Sequence, residues 1–179
     1  ILMQVQTQII SPKHGRNIIG CIEDSITGNY ILTKDISMNR EEAVELLMSI
    51  GVDDFIRLPN KNVLSGKEIF SVILPSDFFY VGESNNKESI IIKNGKLVEG
   101  VIESSGIGDE SGGIIREVYA IYGPEITLDF IGKVFRLGIA VLLKYGFSSS
   151  VSDTDLPNDV QEKIGKLLIE AEENANDVI

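Results

Sequence analysis

Ser89-Ile90-Ile91-Ile92-Lys93-Asn94-Gly95-Lys96-Leu97-Val98-Glu99-Gly100-Val101-Ile102 is the stretch that decides the fold class. β-Branched residues flank an Asn-Gly dipeptide. Asn and Gly both tolerate the positive φ of a type I′ turn, so the pattern predicts an antiparallel hairpin. Helix signals lie on either side of it. Asn39 can cap a helix whose third residue is Glu42, with Val44, Leu47, Met48 and Ile50 as its apolar stripe and Gly51 as its stop. Ser65-Gly66-Lys67-Glu68 is a second capping box, opening a short helix that Pro75 closes. Downstream, helical patterns over 114–122 and 124–145 are separated by Gly123-Pro124, and Gly146 ends the second. Its part after Leu137 is apolar on nearly every side and is expected to be buried all round. Asp155 and Pro157 open a last helix, with Val160, Ile164, Leu167, Leu168 and Ala171 in one stripe. Two β-like runs, 18–22 and 30–33, precede all of these. The class is α+β: short antiparallel strands and hairpins with packed helices, and a helical C-terminal third.

Composition narrows the function. The 179 residues are 43% apolar but only 7% aromatic, without Trp, so the core is aliphatic. The formal charge is −11, from 16 basic and 27 acidic residues. A free-standing DNA-binding domain draws its affinity from a basic excess, which this chain lacks. Residues 151–179 are more acidic still, with eight acids against two bases. Cys21, alone, forms no intramolecular disulfide and suits a reducing cytoplasm. The strongest apolar run, 137–143, is too short to span a bilayer, and no signal peptide is legible. The chain opens at Ile1 in what reads as the middle of an element, as an excerpt would.

Candidate chemistry is thin. Gly106-Ile107-Gly108 follows a strand and precedes a helix, as phosphate-cradling loops do. Ser111 stands where the third glycine belongs, however, and Asp109 and Glu110 would repel phosphate. Asp153, Asp155 and Asp159 resemble a calcium loop only until Pro157, Asn158 and Ile164 occupy three of its required positions. His14 is the only histidine and has no ligand-spaced partner. Cys21, in an apolar run, reads as a small core residue. Glu23 and Asp24, as neighbours on a strand, would point to opposite faces and make a poor acid–base pair. The residues by themselves describe a soluble α+β segment without an active site of its own.

A resemblance to a family is spread over nearly the whole chain. Ile10-Ser11-Pro12-Lys13-His14-Gly15 and Gly20-Cys21-Ile22-Glu23-Asp24-Ser25-Ile26-Thr27-Gly28 are similar to the pore segment of the largest subunit of cellular RNA polymerases. Ser65-Gly66-Lys67-Glu68-Ile69-Phe70-Ser71, Leu74-Pro75 and the 90–100 hairpin follow in family order. Ser111-Gly112-Gly113 and Lys144-Tyr145-Gly146-Phe147-Ser148 with Asp153 complete the series. The wording resembles archaeal more than eukaryotic members. Two departures stand out: Glu23 where relatives usually carry Gln, and Ser150 where a Gly is expected.

The resemblance implies a pore region at 1–110 and the start of a funnel region at 111–179, ending in the first arm of a helical hairpin. It implies a segment of DNA-directed RNA polymerase, a nucleotidyltransferase, that lines the secondary channel. Nucleoside triphosphates enter there, backtracked RNA 3′ ends are extruded there, and transcript-cleavage factors insert there. Other polymerase subunits would be its partners. The catalytic magnesium would be held by an aspartate loop upstream, so these residues alone would be inactive. A channel for triphosphates guides best with a few cations among acids. Lys13 and Arg16 are the channel-lining candidates, with Glu23 and Asp24 beside them. The alternatives are a stand-alone acidic interaction module and, less well supported by one His and one Cys, a small hydrolase or transferase. One local expectation needs no family: Ser65→Ala should lower stability by about 1 kcal/mol in urea unfolding, through loss of a helix cap.

Overall fold

The computed structural model describes residues 4–176. In chain order its elements are α1 (Asp24–Asp35), β1 (Ser37–Asn39), α2 (Arg40–Ser49), β2 (Val63–Ser65), α3 (Gly66–Ile73), β3 (Tyr80–Glu83), β4 (Ser89–Lys93), β5 (Lys96–Glu99), α4 (Ser104–Ile107), α5 (Gly113–Tyr145) and α6 (Asn158–Asn176). Short 3-10 turns cover Val5–Thr7 and Val151–Thr154. The chain divides into two compact units, Ile1–Gly146 and Phe147–Ile179.

In the first unit the expected hairpin forms. β4 and β5 pair antiparallel with Lys93 opposite Lys96, and Asn94 and Gly95 take φ values of 49° and 62° in the turn. β3 adds to the far edge of β4, giving the order β3-β4-β5. Ile90 and Ile92 point inward from β4 and are wholly buried. β1 and β2 make a separate two-stranded ladder, with Met38 opposite Leu64. Both expected caps are present. Asn39 Oδ1 accepts from the Glu42 amide at 2.8 Å, and Ser65 and Glu68 close a reciprocal capping box. Gly123, at φ 80°, breaks α5 into 113–122 and 124–145, with Pro124 opening the second half.

Three expectations change. The run 30–33 is helical, inside α1, and 18–22 is an extended loop with isolated bridges at its ends. Ile26, Thr27, Ile31 and Thr33 carry β propensity, but the buried face of α1 is Ser25, Gly28, Asn29, Leu32 and Thr33. That face has helical spacing with almost no hydrophobicity, so an apolar pattern cannot reveal it. α2 buries Ala43, Leu46 and Leu47, whereas Met48 is exposed. The C-terminal part of α5 buries only one side: Leu137 and Val141 are in the core, while Leu143 is 85% exposed.

The small α1 face allows backbones to meet. A Cβ on Gly28 would lie 2.0 Å from the Gly138 carbonyl oxygen, and one on Gly138 would lie 2.2 Å from the Ser25 carbonyl oxygen. On another side of α1, a Cβ on Gly66 would sit 1.8 Å from the Leu32 carbonyl oxygen. Polar groups then fasten the crossings. Asn29 Nδ2 donates to Ser25 O (2.7 Å) and to Val134 O of α5 (2.9 Å). Thr33 Oγ1 accepts from the Ile102 amide at 2.9 Å, and Ser71 Oγ of α3 accepts from the Leu97 amide at 2.9 Å. These two bonds tie the hairpin and its exit strand to the helices. Leu32, Phe70, Phe78, Ile102, Ile114 and Val134 fill the space between.

The second unit consists of the 150–154 turn, where the Ser150 amide donates to Asp153 Oδ2, and α6. Ile164, Leu167 and Leu168 of the expected stripe are exposed at 41%, 63% and 65%. Among the described residues no helix is long and apolar enough to cross a membrane.

Replacing Gly28 or Gly138 with Ala sets a methyl group against a carbonyl rather than a movable side chain. Each variant should lose on the order of 3 kcal/mol or more in urea unfolding. Gly165→Ala, in open space on α6, should instead raise helicity by circular dichroism.

Candidate functional site

The loop carrying Lys13 and Arg16 is closed at its base. Ile10 and Asn17 form an antiparallel bridge, the Ser11 amide donates to Arg16 O at 2.8 Å, and the Gly15 amide donates to Ser11 O at 2.8 Å. Gly15 takes φ 64° to turn the tip. Pro12, Lys13, His14 and Arg16 are all exposed on that tip. Its base is fixed by Asn17, which is wholly buried: Nδ2 donates to Gly108 O (2.7 Å) and Ile19 O (3.1 Å), and Asn17 O accepts from the Glu110 amide (2.9 Å). The next strand-like residues dock beside it, with the Cys21 amide donating to Ile107 O at 2.8 Å. A Cβ on Gly20 would lie 2.4 Å from the Gly108 carbonyl oxygen, so two backbone segments are in contact here too.

This docking brings together residues 86 or more positions apart. A cleft of about 370 Å³ is lined by Ser11, His14, Arg16, Asn17, Ile18, Asp109 and Glu110. A second depression beside it is shared by Arg16, Asp109, Glu110, Ser111 and Arg116. Arg116 reaches back along α5 to donate to Glu110 O at 3.2 Å. Arg16 therefore stands beside Asp109 and Glu110, with Arg116 at the same depression. Sequence reading saw Asp109 and Glu110 only as arguments against a phosphate loop. The missing signal was Asn17, whose buried amide joins the two loops.

Lys13 does not line either cleft, and Glu23 and Asp24 do not either. Glu23 and Asp24 are not strand neighbours, because Asp24 begins α1 and Glu23 is its N-cap residue. Both are exposed. Glu23 has φ 45° and ψ −118°, a conformation suited to glycine, while its carbonyl accepts from the Ile26 and Thr27 amides at 3.0 Å each. A strained residue at a helix start displays its carboxylate outward.

The glycine loop is spent internally. Amides of Gly106 and Ile107 donate to Glu103 O, Gly108 to Ser104 O, and Gly112 to Gly108 O, so they cannot cradle a phosphate. Residues 104–107 form a turn of helix rather than the expected open loop. Cys21 is fully buried, and burial pushes its thiol up to about 11, with a hydrogen bond to Ser25 opposing. It is an unreactive core residue. Among the described residues no three His, Cys, Asp or Glu side chains are grouped to hold a metal ion.

The family model for RNA polymerase Rpb1, domain 3, matches residues 8–154. That span includes the Lys13–Arg16 loop, α1, both small sheets and all of α5. The chain belongs to this family. Its relatives include the DNA-directed RNA polymerase subunit Rpo1N of Methanocaldococcus jannaschii, 34% identical over 99% of this chain and 15% of the relative. The same subunit of Thermococcus celer is 33% identical over the whole chain and 24% of the relative. That of Halobacterium salinarum is 29% identical over the whole chain and 19% of the relative. The chain is thus of the archaeal type and spans between 15% and 24% of the length of these relatives.

The Glu23 geometry generates a test of local strain. Glu23→Gly should stabilise the chain by about 1 kcal/mol in chemical denaturation, the relief of strain exceeding glycine's entropy cost. Glu23→Gln keeps the strain and should leave stability unchanged.

Proposed function

We propose that this chain is the pore segment of the largest subunit of a DNA-directed RNA polymerase, and that its 11–17 loop faces the secondary channel. The observation that carries the reading is the family match across 8–154 together with that loop's construction. A buried asparagine anchors its base, and its tip presents Lys13, His14 and Arg16 to solvent, His14 and Arg16 in one cleft with Asp109 and Glu110. A rigid loop of mixed charge suits a passage for anions that must not be retained. An all-basic loop would trap triphosphate, and an all-acidic one would exclude it.

In this role the cations meet phosphates of entering nucleoside triphosphates and of a backtracked RNA 3′ end, and the channel admits a transcript-cleavage factor. Other subunits of the enzyme enclose it. Phosphoryl transfer belongs to residues outside these 179. In this reading the magnesium ion that the reaction needs is held by residues elsewhere in the enzyme. Glu23 and Asp24, exposed at the start of α1, contribute acidic surface rather than acid–base chemistry in this reading.

The test is an archaeal polymerase reconstituted with Lys13→Glu and Arg16→Glu in its largest subunit. Exposed contacts of this kind change a binding constant by about fivefold each, and salt screens them. Backtracked complexes should therefore shift by at most roughly twenty-fivefold at low salt, with the effect shrinking as salt rises. Forward elongation at saturating nucleotide should be nearly unchanged. Parent-like pausing, backtracking and cleavage-factor response at low salt would reduce both residues to ordinary loop charges.

A further inference from the structure

The tip of the β4–β5 hairpin concentrates positive charge that the fold itself does not use. Lys93 and Lys96 stand directly opposite each other across the turn, and both are exposed. Like charges in that position destabilise a hairpin. Arg57 reaches the same turn from the 50–62 connection: one terminal nitrogen donates to Gly95 O at 2.8 Å, and the other donates to Leu74 O. Gly95 is needed twice over, for its φ of 62° and because a Cβ there would lie 2.2 Å from the Pro75 carbonyl oxygen.

Both acceptors of Arg57 are neutral carbonyls, which hold the guanidinium in place and leave three of its five N–H donors unspent. Among the described residues none of Arg57, Lys93 and Lys96 forms an ion pair. Asp54 is near enough to be felt by Arg57 without bridging to it, and burial draws the guanidinium below its ordinary range. The adjoining carboxylate, Glu68, is committed elsewhere: it bridges Lys61 at 2.8 Å and caps α3 through the Ser65 amide at 2.9 Å. Three cations without an ion pair among the described residues thus gather at one turn in a chain whose net charge is −11.

The surface between them mixes charge with aliphatic side chains. A cleft of about 400 Å³ runs beside β5, lined by Arg57, Pro59, Lys61, Glu68, Lys96 and Val98 among others, and the one carboxylate in it is the Glu68 already paired with Lys61. Val98 is 59% exposed. None of the lining residues is aromatic, so the cleft lacks the stacking platform on which single-stranded nucleic acid relies. Fixed cations around aliphatic surface fit carboxylates interspersed with aliphatic side chains.

We propose that this cleft and hairpin tip dock an acidic polypeptide segment of a partner protein, with its carboxylates on Arg57, Lys93 and Lys96 and an aliphatic side chain over Pro59 and Val98. The opposed lysines are then a binding feature whose cost to the hairpin is recovered when the partner neutralises them. The site is built from the 50–62 connection, α3 and the β4–β5 hairpin. It shares no residue with the 11–17 loop, and it does not depend on the channel reading.

The full chain can be titrated with a fluorescein-labelled synthetic peptide of Glu-Glu-Leu repeats, read by anisotropy, with amide shifts followed by NMR. Binding should weaken as salt rises and should shift Gly95, Lys96 and Val98. Lys93→Glu with Lys96→Glu keeps an opposed like-charge pair, so its melting temperature should match the parent, while affinity for the peptide falls by about tenfold or more. Arg16→Glu, on the other loop, should bind as the parent does. A peptide with every Leu replaced by Ser should bind several-fold more weakly. The proposal is overturned if the parent does not bind the peptide, if the double reversal binds it unchanged, or if the Ser peptide binds equally well. It is also overturned if oligouridylate binds more tightly than the peptide and loses that binding in the same double variant, which would make this a nucleic-acid surface.

Discussion

The backbone-to-backbone crossing of α1 and α5 is the constraint on which the first unit depends. Gly28 and Gly138 bring carbonyl and Cα within reach of each other, so the two helices pack closer than side chains would permit. At that distance dispersion is strong, but unpaired polar groups would be costly. Asn29 satisfies a carbonyl of each helix through Nδ2, while its own Oδ1 is buried without a hydrogen-bond partner among the described residues. α1 then becomes a post, with Gly66 of α3 against one side and Thr33 receiving the Ile102 amide on another. The small sheet and its exit strand are tied to α1 through Thr33 and to α3 through Ser71. Around that backbone contact the core is mainly aliphatic, with Phe70, Phe78 and Phe130 as its large side chains.

The same device recurs where the loops meet. Gly20 lies against Gly108, and Asn17 plays the part of Asn29, spending its amide on carbonyls from both segments. Each asparagine is buried, and each joins stretches of chain about a hundred positions apart. A loop anchored this way can expose charge at its tip without losing its shape. That is how Arg16, Asp109, Glu110 and Arg116 share one surface although they come from two distant loops and a helix. Arg57 does a similar task at the hairpin, except that its anchor is itself a cation and therefore leaves charge behind.

Elements with strong local chemistry were legible in the sequence. The Asn94-Gly95 turn, the Ser65–Glu68 box, the Asn39 cap and the Gly123-Pro124 break are fixed by φ preference and by a side chain a few residues away. α1 was misread because its buried face is Ser, Gly, Asn and Thr, and hydrophobic periodicity is blind to a helix that packs by smallness. β3 was not anticipated, since Tyr80–Glu83 contains a glycine and alternates weakly; it exists because β4 offers an edge. In the candidate site, Lys13 and Arg16 were visible as loop cations, but their acidic neighbours were visible only as a reason to reject another idea.

What the sequence by itself determined is local or additive: the class, the caps and turns, the acidic balance, the absence of a disulfide, and a series of family motifs in order. These depend on residues within a few positions of one another or on sums over the chain. Tertiary structure alone decided which glycines are close approaches, which asparagines are buried bolts, and which charges are neighbours. It decided that, among the described residues, Lys93 and Lys96 go without an ion pair while Lys61 finds Glu68, and that Leu143 stays in solvent while Leu137 does not. The physical reason is that a charge, a donor or a methyl group has no fixed worth along the chain. Its contribution depends on distances of 2–4 Å to partners that only the folded backbone brings into range.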